Sequence, residues 1–179
     1  MEAISVALSE GVELRGLQPD DTDVVHALVE AERKRLEAWM AFIYWTHSVE
    51  DVRNFIVSCR ASETEVDGNG IWVDGALAGV VGMTVDRFNA GDIGYWLGSE
   101  FEGRGLMSAA CRALIDHGFT AMGLHRVTIT VEPENARSCA VPERLGFTRE
   151  AVLREASKVG DRYGDFVVFG LLASEWPAS

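Results

Sequence analysis

Between Asp92 and Val131 the chain runs strand, glycine-rich loop, helix, strand, an order that admits few arrangements. Asp92 to Leu97 (Asp-Ile-Gly-Tyr-Trp-Leu) reads as a strand and Gly98-Ser99-Glu100-Phe101-Glu102-Gly103-Arg104-Gly105 as a loop. Leu106, Ala110, Leu114 and Phe119 then fall roughly along one helical face, and Gly123 marks the stop. His125 to Val131 alternates and is rich in β-branched residues, which suits a strand. A strand entered through a helical crossover is expected to lie parallel to the one before it. Upstream, Gly70 to Val73 and Leu77 to Val85 flank Asp74-Gly75, a dipeptide that favours a type I′ hairpin because both central residues need positive φ. Those two strands are therefore antiparallel, and the expected class is α/β (α+β) with a mixed sheet.

The remaining elements follow from the same signals. Val12 to Leu17 reads as a first strand, ended by Gln18-Pro19-Asp20. A helix is expected from Asp20 or Asp21 to Trp39 or Met40, with Val24, Val25, Leu28 and Val29 on its apolar face. A second starts at Ser48-Val49-Glu50-Asp51, where Ser48 and Asp51 have capping-box spacing and Val52, Phe55, Ile56 and Cys59 recur at helical period. Between them, Trp39, Phe42, Tyr44 and Trp45 suit core packing, a substrate lip or a homodimer contact. Asn135 to Leu145 reads as a short helix with Gly146 at its C-terminal cap and Phe147 returning to the core. The apolar run Phe166 to Leu172 suits a strand buried on both faces.

A chain of 179 residues is long enough for one domain to build its core without disulfide or metal staples. Its three cysteines, Cys59, Cys111 and Cys139, form no Cys-x-x-Cys pair, and its four histidines show no metal-ligand spacing, so no metal site is expected. The N-terminus has no basic region followed by an apolar run, and no stretch approaches a membrane span, which points to a cytoplasmic protein. A net charge of −12 without a basic stripe argues against direct nucleic-acid binding and is compatible with a cationic partner such as an amine.

The chemistry concentrates at the loop. Glycines between a strand and a helix N-terminus let unpaired backbone N–H groups approach an anion closely. No Lys follows Gly103 and Gly105 as a P-loop would require. A dinucleotide fold needs a third glycine where Ser108 stands and would not place antiparallel strands first.

Four segments taken together resemble the GNAT acetyltransferases. They are Ile93-Gly94-Tyr95-Trp96-Leu97, Glu102-Gly103-Arg104-Gly105-Leu106-Met107, Pro133-Glu134-Asn135-Ala136-Arg137-Ser138 and Glu143-Arg144-Leu145-Gly146-Phe147. The chain is most similar to the RimJ/RimL branch, which acetylates ribosomal-protein N-termini. The resemblance implies a single domain over residues 1–179, with about seven strands in a mixed, mostly antiparallel sheet and about four helices. It also implies a pantetheine site between two splayed parallel strands.

For the site, the resemblance implies acetyl-CoA held by the backbone of Tyr95, Trp96 and Leu97 and by the loop residues Gly103, Arg104, Gly105, Leu106, Met107 and Ser108. Asn135 and Ser138 are expected at the pantetheine arm. The strand backbone would supply the oxyanion donor. Ser138 is the candidate acid for the departing thiolate and Glu100 the candidate base. Glu102 departs from the family's loop pattern, which has Gln or Arg there, and its carboxylate is expected to point to solvent or to be offset by Arg104. The acceptor is expected to be a protein N-terminal α-amine. A small amine such as a polyamine or an antibiotic, or a fold that binds acyl-CoA without turnover, are the other readings.

Overall fold

The computed structural model describes residues 4–61 and 68–177. The first residues of the N-terminal segment read above, Met1 to Ala3, lie outside them. In chain order the elements are β1 (Ser5–Ser9), β2 (Val12–Gly16), α1 (Thr22–Leu36), α2 (Val49–Ala61), β3 (Asn69–Val73), β4 (Ala76–Val85) and β5 (Ala90–Leu97). They continue with α3 (Leu106–Thr120), β6 (Arg126–Val131), α4 (Ala136–Arg144), β7 (Thr148–Val159) and β8 (Arg162–Leu172). The strands form one sheet in the order β1-β2-β3-β4-β5-β6-β8-β7, in which only the β5–β6 pair is parallel. No helix among the described residues is long and apolar enough to cross a membrane.

The local signals act as their chemistry requires. Asp74 and Gly75 have φ of 49° and 82° and join β3 to β4 in the primed turn that matches strand twist. At the start of α2, the Ser48 N–H donates to Asp51 Oδ2 at 2.9 Å and the Asp51 N–H to Ser48 Oγ at 3.2 Å, a reciprocal cap. At the end of α4, Gly146 takes φ 83° while the N–H groups of Gly146 and Phe147 donate to the carbonyls of Glu143 and Pro142. This Schellman closure returns Phe147 to the core at 8% exposure.

Two readings are corrected. The strand β1 was not expected: Ile4, Val6 and Leu8 do alternate, but the run is short and its residues are almost all exposed at the sheet edge. The first helix ends at Leu36 and not at Trp39 or Met40. Arg33 donates to the carbonyls of Ile43 at 3.1 Å and Thr46 at 2.6 Å, folding residues 37–48 back so that Ile43 is buried.

The sheet separates two apolar clusters. On one face Leu106, Leu114 and Ile115 of α3 pack with Ile93, Val127, Ile129 and Phe169. On the other, Val25, Val29 and Leu36 of α1 and Ile56 of α2 pack on Trp72, Leu77 and Val80. Each fully buried Leu or Ile contributes about 1.5–3 kcal/mol. Alternation along β5 sends Tyr95 and Leu97 to the first cluster and Trp96 to the second.

Helices on both faces are thus anchored to a sheet that opens between β5 and β6. β5 and β6 pair only at Ala90↔Arg126, Gly91↔Val127 and Asp92↔Thr128. Beyond Asp92, β5 stays bonded to β4 as far as Leu97, and β6 to β8 as far as Val131. Their facing edges part.

Candidate active site

The parted edges leave backbone groups without a strand partner. The Gly98 N–H donates to the Ala78 carbonyl of β4 at 2.7 Å, so alternation turns the backbone groups of Tyr95 and Leu97 away from β4, toward the gap. A cavity of about 1210 Å3 opens there. Its walls come from both faces of the sheet: Leu36 at the end of α1 with Trp39 and Met40 just after it, and the first turns of α3 and α4 from the other side. A site reached from both faces can hold two substrates with their reactive ends meeting in the gap.

The loop before α3 shapes one end. Gly103 and Gly105 have φ of 74° and 76°, while a Cβ at either would meet nothing within 4 Å, so glycine is required here by backbone angle and not by space. Gly105 is the N-cap of α3 and no side chain caps that helix. The first-turn N–H groups and the positive end of the helix dipole are therefore left for an anion. The first turn of α4 enters from the opposite wall. Asn135 Oδ1 accepts the Ser138 N–H at 3.2 Å as N-cap, and Tyr95 Oη donates to the Ser138 carbonyl at 2.8 Å. Burial pushes the Tyr95 phenol well above its usual range, which keeps that donor protonated.

Of the residues singled out in the sequence, Tyr95, Trp96, Leu97, Gly103, Gly105, Leu106, Met107, Ser108, Asn135 and Ser138 all line this cavity. Arg104 and Glu100 do not. Arg104 stands 5.9 Å from the Phe101 ring centroid, and Glu100 is exposed on the Ser99–Phe101 turn. In that turn it is Glu32 that takes Ser99, accepting from its N–H at 2.9 Å and its Oγ at 2.7 Å. Cys139 lies off the lining with its Sγ 3.7 Å from the Glu132 carbonyl oxygen, and burial pushes its thiol up, which disfavours the nucleophilic thiolate.

The expectation for Glu102 is overturned. Its carboxylate neither points to solvent nor meets Arg104. Oε1 accepts from Arg35 Nη1 at 2.9 Å and Oε2 accepts from Arg137. Arg35 also donates to Glu32 Oε2 at 2.6 Å and to the Leu97 carbonyl, one of the groups that β6 leaves unpaired. Arg144 reaches Ser108 Oγ at 3.3 Å. Although the chain is acidic overall, three guanidinium groups and two carboxylates line this cavity, which favours an anionic ligand. Sequence reasoning missed Arg35, Arg137 and the Tyr95 hydroxyl, since pairs such as Arg35 and Glu102 are 67 positions apart and leave no local pattern.

The acetyltransferase (GNAT) domain family matches residues 12–148. The chain belongs to this family. It is 34% identical over 174 residues to a Bacillus subtilis protein named "Putative ribosomal N-acetyltransferase YdaF", covering 94% of this chain and 95% of that one. It is 26% identical over 169 residues to the ribosomal-protein-serine acetyltransferase of Escherichia coli, covering 90% and 92%. Among solved structures, Mycobacterium smegmatis RimJ in complex with CoA-disulfide superposes with a TM-score of 0.88 at 28% identity, over 99% of this chain and 90% of that one. The GNAT protein described here is thus an N-acetyltransferase of the RimJ/RimL type, in a family that uses acetyl-CoA.

Proposed function

We propose that this GNAT enzyme binds acetyl-CoA in the cavity between β5 and β6 and transfers the acetyl group directly to a protein N-terminal α-amine. The carrying observation is the parting of β5 and β6 after Asp92 and Thr128, with the α3 and α4 N-termini converging on the gap. The pyrophosphate lies on the N–H groups of residues 103–108, and the pantetheine arm runs along Tyr95, Trp96 and Leu97 toward Asn135. The amine nitrogen attacks the thioester carbon. The oxyanion that forms is held by backbone N–H groups of β5, those of Tyr95 and Leu97 being turned to the gap. When the C–S bond breaks, the Ser138 hydroxyl gives its proton to the thiolate and is reprotonated from solvent, while the amine proton leaves through water.

An α-amine with pKa of ~8 is roughly a tenth neutral at pH 7, whereas a lysine near 10.4 is neutral at under about one part in a thousand. The exposed Glu100 reaches such an amine only through water, and the weak base an α-amine needs fits that distance. Glu100→Gln is accordingly expected to change kcat by less than about twofold. A larger loss, reversed by raising pH, makes Glu100 the base. The carboxylates lining the cavity are Glu102, engaged by two arginines, and Glu134. That supports a monocationic acceptor over a polyamine with several charges to match.

Thermal unfolding with acetyl-CoA, CoA, NAD and ATP in excess tests the cosubstrate. Ligand at 100 times its Kd adds about 2.7 kcal/mol, expected here as a rise of roughly 5–11 °C for CoA and acetyl-CoA alone. No rise with either CoA species removes the reading. Peptides with Ser or Ala at the N-terminus, assayed against spermidine, then test the acceptor.

A further inference from the structure

The two arginines on Glu102 are held very differently. Arg35 is fixed by three acceptors, namely Glu32, the Leu97 carbonyl and Glu102. Arg137 has an 81% exposed side chain and donates to Glu102 Oε2. Glu102 is itself only 25% exposed. A carboxylate thus stands at the rim of a cavity whose other feature, the uncapped α3 N-terminus, favours an anionic ligand. An exposed ion pair is worth little, so a phosphate oxygen, with more negative charge, can take Arg137 from it.

We propose that Glu102 is a placeholder for a cosubstrate phosphate. It parks the exposed Arg137 guanidinium at the rim, and Arg137 exchanges this carboxylate for a phosphate oxygen when CoA binds. Arg35 keeps its hold on Glu102 throughout, so the carboxylate remains tied to α1 and drawn back from the incoming charge. Glu102 is then a positioning residue that acts through Arg137. The proposal rests on the cavity taking acetyl-CoA and adds to it the residue pair that is rearranged.

The test is titration calorimetry of CoA against wild type, Glu102→Gln, Arg137→Gln and the double variant, at low and high salt. Glu102→Gln keeps size and hydrogen-bonding capacity but removes the competing charge. It is expected to tighten CoA binding by about two- to fivefold at low salt, with the gain fading at high salt. Arg137→Gln is expected to weaken binding by a similar factor, and in that background the gain from Glu102→Gln should shrink by at least half. The KM for S-acetylpantetheine, which has no phosphate, should not move in any variant. Weaker CoA binding by Glu102→Gln makes the carboxylate a strut and overturns the proposal. An undiminished gain without Arg137, or an equal gain with S-acetylpantetheine, overturns it also. Should Glu102→Gln fail to fold, Arg137→Gln alone decides through its salt dependence, which must be shallower than that of wild type. If wild type binds no CoA, the cosubstrate reading itself fails, an outcome distinct from all of these.

Discussion

Replacing Ser138 by alanine is expected to lower kcat by about 10²-fold while leaving the Kd for CoA within about twofold. The separation is expected because the fold grips this residue by its backbone. Its N–H is held by Asn135 Oδ1 and its carbonyl by Tyr95 Oη, so removing Oγ leaves the first turn of α4 in place. On the proposed role of Ser138, what is lost is the proton for the departing thiolate, a group made only as the C–S bond breaks, and such a loss lowers kcat and not ground-state binding. Ser138→Thr retains a hydroxyl and should recover part of the rate. A rise in KM for acetyl-CoA at unchanged kcat would show instead that Ser138 binds the cosubstrate and that another group supplies the proton.

The second large effect concerns stability. Glu132, just beyond β6, is 4% exposed and its carboxylate is engaged on both oxygens. Ser157 Oγ donates to Oε1 at 2.5 Å, and Arg162 donates to Oε2 at 2.7 Å and Oε1 at 3.2 Å. The same guanidinium donates to the Ala38 carbonyl at 3.0 Å, tying the β7–β8 turn to the segment after α1. Arg162→Met leaves a buried carboxylate without its cation. Because Arg162 is itself 49% exposed, the cost falls below the range for a fully buried pair, at about 2–3 kcal/mol, or a fall in Tm of roughly 4–12 °C. Glu132→Met combined with Arg162→Met removes both charges and should recover most of that loss. Thermal unfolding of the three variants reads the result. Equal Tm for Arg162→Met and wild type would mean that solvent, and not Arg162, satisfies the carboxylate.

Much of the fold was legible because it is written in short-range chemistry. Positive φ at Asp74 and Gly75, the reciprocal Ser48–Asp51 cap and the Schellman closure at Gly146 each need particular residue types at fixed offsets, and each formed where those residues stand. The glycine loop, Asn135 and Ser138 were legible as a group because four motifs occur at set separations. Glu100 and Arg104 were read from the same stretch yet lie off the cavity, since spacing places a backbone but does not aim a long side chain on a turn. β1 escaped notice for a different reason: an exposed edge strand is held mainly by main-chain bonds to β2, and the short alternation of Ile4, Val6 and Leu8 is a faint signal.

The sequence by itself determined the hairpin and helix signals, the parallel crossover, the uncapped glycine-led N-terminus of α3 and, through its motifs, the GNAT family. Those properties depend on neighbours a few positions apart. The tertiary structure alone decided that β5 and β6 part after Asp92 and Thr128, that Tyr95 holds Ser138, and that Glu102 is taken by Arg35 and Arg137. Parting depends on each strand keeping its outer partner, and the three side-chain ties join residues 35 to 67 positions apart. A carboxylate that looked misplaced in a phosphate loop is neutralised by charges that only the folded chain brings to it.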